Sequence, residues 1–101
     1  MAAFLYQFEW DPVKAKANFS KHGVDFERAA QVFRDPLALT IPDEEDGESE
    51  VRWITLGKDA TGQYLLGVHT FEQLTDGLGR IRMISARRPT RAEERTYEEE
   101  Q

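Results

Sequence analysis

Asp11-Pro12-Val13-Lys14-Ala15-Lys16-Ala17-Asn18-Phe19-Ser20-Lys21-His22-Gly23 decides the fold, because its apolar residues admit two incompatible readings. Val13, Ala15, Ala17 and Phe19 alternate, and alternation is the mark of a half-buried strand. The residue types point the other way. Alanine and lysine favour helix. Asp11 suits the N-cap, and Pro12 suits the first helical position, where its missing N–H would have no partner anyway. Lys21-His22-Gly23 reads as a helix end, a basic last turn followed by glycine in the left-handed position. We therefore predict a helix from Pro12 to about His22, with Lys14, Asn18 and Lys21 on one polar face and Ala15 and Phe19 sharing another.

Upstream, Phe4 to Trp10 is aromatic-rich and reads as a short strand ended by Asp11-Pro12. Downstream, Asp25 can cap a second helix, in which Phe26, Ala29, Ala30 and Phe33 follow the i, i+3, i+4, i+7 spacing of a core-facing stripe until Asp35-Pro36 stops it. Next come strands at Leu37 to Ile41, Val51 to Gly57 and Gln63 to Phe71, the last two forming an antiparallel hairpin about a turn at 58–62. Glu72 to Leu78 reads as a polar loop. Gly79 to Ala86 is a further strand, with Ile81, Met83 and Ser85 on one side and Arg80, Arg82, Ile84 and Ala86 on the other. Thr90-Arg91-Ala92-Glu93 matches a capping box opening a final helix, Arg91 to about Glu99. There is no internal repeat and no linker, so residues 1–101 read as a single α+β domain.

The chain has 101 residues, 13 Lys plus Arg, 19 Asp plus Glu, a formal charge of −6 and no cysteine. It must fold on apolar packing, without disulfides or thiolate metal sites. No run approaches the ~18 apolar residues of a membrane span, and Met1 to Tyr6 is too short and uncharged for a secretory signal, so a cytoplasmic location is expected. An acidic total opposes nucleic-acid binding, which depends on Lys and Arg. The distribution reverses that inference. Residues 43–50 hold six acids and no base, read as a self-repelling loop, whereas residues 80–95 hold six arginines against two glutamates.

His22 and His69 are isolated, no glycine-rich phosphate loop is present, and Ser20, Ser49 and Ser85 lie in no nucleophile motif; neither metal nor cofactor is expected. The prominent feature is Arg80-Ile81-Arg82-Met83-Ile84-Ser85-Ala86-Arg87-Arg88. Guanidinium groups match phosphate in shape and charge, so these arginines can grip an RNA backbone, or they are ordinary solvent-facing residues. His69 reads either as a general acid or base or as a satisfied structural histidine. Tyr97 can stack on a base or pack on the sheet, and Lys21 is a contact or merely part of a wet helix face.

From about Phe8 to Glu98 the chain resembles the BrnT-type toxins of bacterial type II toxin–antitoxin modules, relatives of the RelE-type ribonucleases. The resemblance rests on Phe8-Glu9-Trp10-Asp11-Pro12, Asn18 with Lys21-His22-Gly23-Val24, Phe26-Glu27 with Ala29-Ala30 and Val32-Phe33, and Asp35-Pro36. It continues through Glu50 to Arg52, Gly57, Arg80 to Arg87, Glu93 or Glu94, and Tyr97-Glu98. It implies a RelE-like fold, two N-terminal helices packed on an antiparallel sheet with a C-terminal helix, and a metal-independent ribonuclease that arrests growth. In that chemistry the ribose 2′-hydroxyl attacks the adjacent phosphate. The resemblance implies Arg82 and Arg87 for phosphate and transition-state charge, His69 and Tyr97 for proton transfer or stacking, and Lys21, Arg52, Arg80 and Arg88 for RNA binding. The implied partner is a BrnA-type ribbon-helix-helix antitoxin, two toxins on an antitoxin dimer, with promoter DNA touched only through the antitoxin. Two rivals stand beside the enzyme: a catalytically weak binding module within an autorepressing complex, and a structural interaction protein.

Overall fold

The disputed segment is a helix. In the structure, a computed structural model describing residues 5–43 and 51–101, Pro12–His22 forms α1. The expected loop at 43–50 lies outside the described residues, apart from Asp43. Asp11 accepts from the Val13 N–H at 2.9 Å, and Gly23, at φ 70°, donates its N–H to the Phe19 carbonyl at 2.8 Å. Both ends are therefore closed as the residue types require.

The face that α1 buries differs from the expected one. Phe19 is 53 % exposed and Val13 75 %, whereas the buried residue is Asn18, at 8 %. Apolar spacing could not locate this face, because the contact it makes is polar (below). The second helix, α2 (Phe26–Ala30), is capped by Asp25, which accepts from the Arg28 N–H at 2.7 Å. It tightens at once into a 3₁₀ turn over Gln31–Arg34. The tighter winding turns Val32 fully inward in the place expected of Phe33, which instead packs against Tyr6 and Phe8 at ring distances of 5.5 and 5.4 Å.

Among the described residues, five strands form one sheet: β1 (Leu5–Glu9), β2 (Leu39–Pro42), β3 (Trp53–Lys58), β4 (Tyr64–Thr75) and β5 (Leu78–Arg87), in the order β1-β5-β4-β3-β2. The sheet is mixed rather than wholly antiparallel, because β1 lies parallel to β5. Hairpins dictate the antiparallel pairs β3–β4 and β4–β5, but no hairpin joins β1 to its neighbour. The expected polar loop at Glu72 to Leu78 is also absent. There β4 continues to Thr75 and turns through Asp76-Gly77, with Gly77 at φ 80°. Asp-Gly is a favoured two-residue hairpin turn, so the polarity of this stretch belongs to strand residues facing water.

One irregularity positions the site. Val68 pairs with Ser85 but His69 pairs with Met83, leaving Ile84 as an extra residue in β5. This bulge inverts the alternation that follows it. Ala86, expected beside Arg80 and Arg82, instead joins Ile81 and Met83 in the core, and these three are 0, 1 and 2 % exposed. Ser85, expected beside Ile81 and Met83, lies on the other face opposite Val68, in one row with Arg87 opposite Leu66, Arg82 opposite Thr70 and Arg80 opposite Glu72.

Each face of the sheet has its own core. On one, Ile81, Met83, Ala86 and Leu65 meet Val24, Phe26, Ala29 and Val32. On the other, the final helix α3 (Arg91–Glu99) sets Tyr97 on Leu56 and Leu66, flanked by Leu39, Ile54, Tyr64 and Val68. The capping box of α3 is complete: the Glu93 N–H donates to Thr90 Oγ1 at 3.2 Å, and the Thr90 N–H donates to Glu93 Oε1 at 2.7 Å.

Candidate functional site

Arg80, Arg82 and Arg87 share the sheet face that carries α3, and α3 covers only the Arg87 end of it. Toward the β1 edge, Arg80 and Arg82 line an open hollow of about 410 Å³ with Glu9, Val51, Thr70, Phe71 and Glu72. Arg80 Nη1 donates to Glu72 Oε1 at 2.9 Å, and its Nε stands 3.7 Å from Glu9 Oε2. Glu9 is the strand partner of Arg82. Toward α3 the row continues into a second hollow of about 550 Å³, where Arg87 and Glu93 meet Ile41, Ile54, Leu66 and Val68.

Arg87 is held rather than loose. Its two Nη atoms donate to the two carboxylate oxygens of Glu93 at 2.9 and 3.0 Å. This bond raises the Arg87 pKa above its ordinary value and holds Glu93 below the usual carboxylate range. A forked pair of this kind fixes the guanidinium plane. Arg88 follows the strand and is exposed; Lys21 is exposed in the last turn of α1; Arg52 is half-buried just ahead of β3, its carbonyl accepting from the Asp43 N–H at 2.9 Å.

The two residues expected to move protons lie elsewhere. His69 is 2 % exposed on the opposite sheet face, against Phe33 at a ring distance of 4.8 Å. Its Nδ1 donates to the Thr70 carbonyl at 3.0 Å, which leaves Nε2 to accept from Thr55 Oγ1 at 2.7 Å. Both nitrogens are occupied, and burial pushes the pKa below its ordinary value, so the ring is neutral. Tyr97 is 3 % exposed and donates its hydroxyl to Asp35 Oδ2 at 2.7 Å. Burial, then the Asp35 carboxylate, pushes its pKa up to about 12. The structure thus brings Arg80, Arg82 and Arg87 into one row, leaves His69 on the opposite face, and buries Tyr97 under α3 with its hydroxyl bound to Asp35.

Two residues of the site carried no signal that alternation could read. Glu9 joins the arginines through the parallel pairing of β1, which is a long-range contact. Asn18 acts at the other end of the row. Beyond Glu9, β1 has ended, and among the described residues no strand lies beside that edge of β5. Asn18 Oδ1 accepts from the Ala86 N–H at 3.1 Å, and Nδ2 donates to the Ala86 carbonyl at 2.9 Å and to the Val24 carbonyl at 3.0 Å. One side-chain amide thus stands in for a missing strand and anchors the backbone next to Arg87. Its trace in the sequence was an asparagine in the middle of an Ala/Lys helix, where helix propensity does not favour it.

Among the described residues, no group of three or more His, Cys, Asp or Glu side chains is placed to hold a metal ion, and no helix is long and apolar enough to cross a membrane. Fold and face together define a small α+β protein with a mixed five-stranded sheet that offers a row of arginines on one side. Residues 10–93 match the family model of the ribonuclease toxin BrnT of type II toxin–antitoxin systems, and the chain belongs to that family. Among solved structures it is similar to the crystal structure of the Brucella abortus ribonuclease toxin, BrnT, at a TM-score of 0.58 and 19 % identity, covering 86 % of this chain and 99 % of that one. At that identity the likeness concerns the fold. No match was found among curated proteins. As a type II toxin, a member of this family has an antitoxin as its partner.

Proposed function

We propose that the chain is a RelE-like, metal-independent endoribonuclease that cleaves RNA in the cytoplasm and arrests growth until a BrnA-type antitoxin covers its arginine face. The observation that carries this reading is the bulge at Ile84, which turns Arg87 into the row of Arg80 and Arg82. Three guanidinium groups on one strand can neutralise successive phosphates and the charge that develops on a pentacoordinate phosphorus. In this reading Arg82 and Arg87 bear on the scissile phosphate, and Arg80, Arg88, Lys21 and Arg52 guide the RNA on either side. His69 and Tyr97 hold the scaffold. The two N-terminal helices on the sheet are the RelE-like part of the arrangement. Silencing requires only occlusion of the row, which fits an antitoxin dimer carrying two toxins and making the promoter contacts itself.

The test is cleavage of single-stranded RNA by the purified chain in the presence of EDTA. Cleavage that falls at least ~100-fold in Arg82→Ala and in Arg87→Ala is expected. Intact RNA at stoichiometric folded protein overturns the proposal. A second reading, a binding module with little catalysis, is favoured by the engagement of Arg87 by Glu93 and of Arg80 by Glu72. It predicts no growth arrest on expression alone, with tighter operator binding by the toxin–antitoxin complex than by the antitoxin.

A further inference from the structure

Cleavage by 2′-hydroxyl attack needs a group that takes a proton beside the bound phosphate; His69 lies on the opposite sheet face, and Tyr97 is buried under α3 with its hydroxyl on Asp35. Among the described residues, the titratable groups lining the hollow with Arg80 and Arg82 are Glu9 and Glu72. Glu72 is bound at 2.9 Å to Arg80 and its side chain is 63 % exposed. Glu9 is better placed. It ends β1 as the strand partner of Arg82, its carboxylate is 3.7 Å from Arg80 Nε, and its side chain is 50 % exposed, so the carboxylate lies against Arg80 and open to solvent on the residue paired with Arg82. The parallel ladder from Leu5 to Glu9 fixes that position in the backbone.

We propose that Glu9 is the general base of this site. This rests on the ribonuclease reading above. A carboxylate oxygen of Glu9 takes the proton of the ribose 2′-hydroxyl, and the 2′-oxygen forms its bond to phosphorus. The bond from phosphorus to the 5′-oxygen breaks, its electron pair leaving on that oxygen, which solvent protonates. Glu9 then returns its proton to solvent. The products are a 2′,3′-cyclic phosphate and a 5′-hydroxyl end. Arg82, the strand partner of Glu9, holds the scissile phosphate against it, and Arg80 guides the neighbouring RNA. The charged groups facing Glu9 are Arg80 and Arg82 on β5 and Glu72 on β4.

The experiment compares wild type with Glu9→Gln on a cleaved single-stranded RNA oligonucleotide, with the 2′-O-methylated copy of the same oligonucleotide as the binding probe. Cleavage is expected to fall ~100-fold or more while probe affinity stays within about threefold, and the acid limb of the pH–rate profile disappears. A variant that cleaves within a few-fold of wild type, or that loses probe affinity as steeply as cleavage, overturns the proposal. Thermal melting establishes that the variant is folded. Should Glu9→Gln fail to fold, Glu9→Asp keeps the charge and withdraws the carboxylate by one methylene. Cleavage at least tenfold slower at unchanged probe affinity then supports the base, and unchanged cleavage removes it. If wild type leaves the RNA intact, the ribonuclease reading itself falls and this proposal with it.

Discussion

Asn18, expected on the polar face of α1 with Lys14 and Lys21, is buried instead, and the bonds it makes decide the cost of replacing it. Asn18→Ala leaves the Ala86 N–H and two carbonyls without partners in a buried place, so stability should fall by about 1–3 kcal/mol in urea titration. Arg87 follows directly on Ala86, so the same substitution should slow cleavage. In an Arg87→Ala background it should slow cleavage no further; multiplicative losses would show that Asn18 serves the fold alone. Asp59 gives a second test at this scale. It is 6 % exposed, and it accepts from Thr61 N–H and Oγ1 at 2.8 and 2.7 Å, from Gln63 N–H at 3.0 Å and from Arg28 at 2.8 Å. Burial pushes its pKa up, but the bonds from Thr61, Arg28 and Gln63 outweigh it, and the carboxyl lies well below the ordinary range. A folded pKa below the unfolded value gives stability that is present above about pH 4 and lost as pH falls through the folded value. Acid unfolding of Asp59→Asn should therefore be flatter below pH 4 than that of wild type, with lower stability at pH 7.

The elements were legible where a local rule governs them. Asp11-Pro12 and Gly23 bound α1, Asp25 opens α2, and Thr90 with Glu93 opens α3, all because capping is a bond between near neighbours in the chain. The bulge at Ile84 was not legible. Nothing in Arg80 to Arg88 distinguishes Ile84 from any other strand residue, and the misassignment of Ser85 and Ala86 followed from applying an unbroken period of two. Parallel pairing of β1 was hidden for the same reason, being a contact across most of the chain. In α3 the local rule and the tertiary contact meet. The helix is seated by Tyr97, whose hydroxyl bonds Asp35, by Arg87 on Glu93, and by Tyr64, whose hydroxyl donates to Glu98 Oε2 at 2.7 Å. Tyr64 is pushed up to about 12 by its bond to Glu98, and Tyr97 to about 12 by burial and Asp35. A phenol whose folded pKa exceeds its unfolded value contributes stability below about pH 10 that is lost as pH rises toward 12. Phenolate absorbance from these two should emerge only near the upper end of that window, together with loss of α3 helicity. Tyr97→Phe should lower stability by about 1 kcal/mol at pH 7 and weaken that alkaline transition.

Across the whole molecule, a formal charge of −6 coexists with a face on which arginines are gathered. The acidic residues are concentrated elsewhere in the sequence, six of them at 43–50, so the total describes solubility while the row describes contact. Glu72 and Glu93 nevertheless bind the arginines at 2.9 Å, and they must compete with phosphate for them. Affinity for RNA should then be modest and strongly dependent on salt. Each phosphate neutralised on a single strand contributes about −0.7 to the slope of log K against log salt, so engagement of Arg80, Arg82 and Arg87 predicts a slope near −2 for a single-stranded oligonucleotide. Arg82→Ala should make the slope shallower by about 0.7, because one phosphate contact is lost. Glu93→Gln leaves the cationic partner in place and removes its internal competitor, so binding should tighten with the slope kept or steepened. Filter binding across a salt series measures all three. A slope near zero in wild type, or one unmoved by Arg82→Ala, would mean that the arginine row is closed to RNA by its own carboxylates.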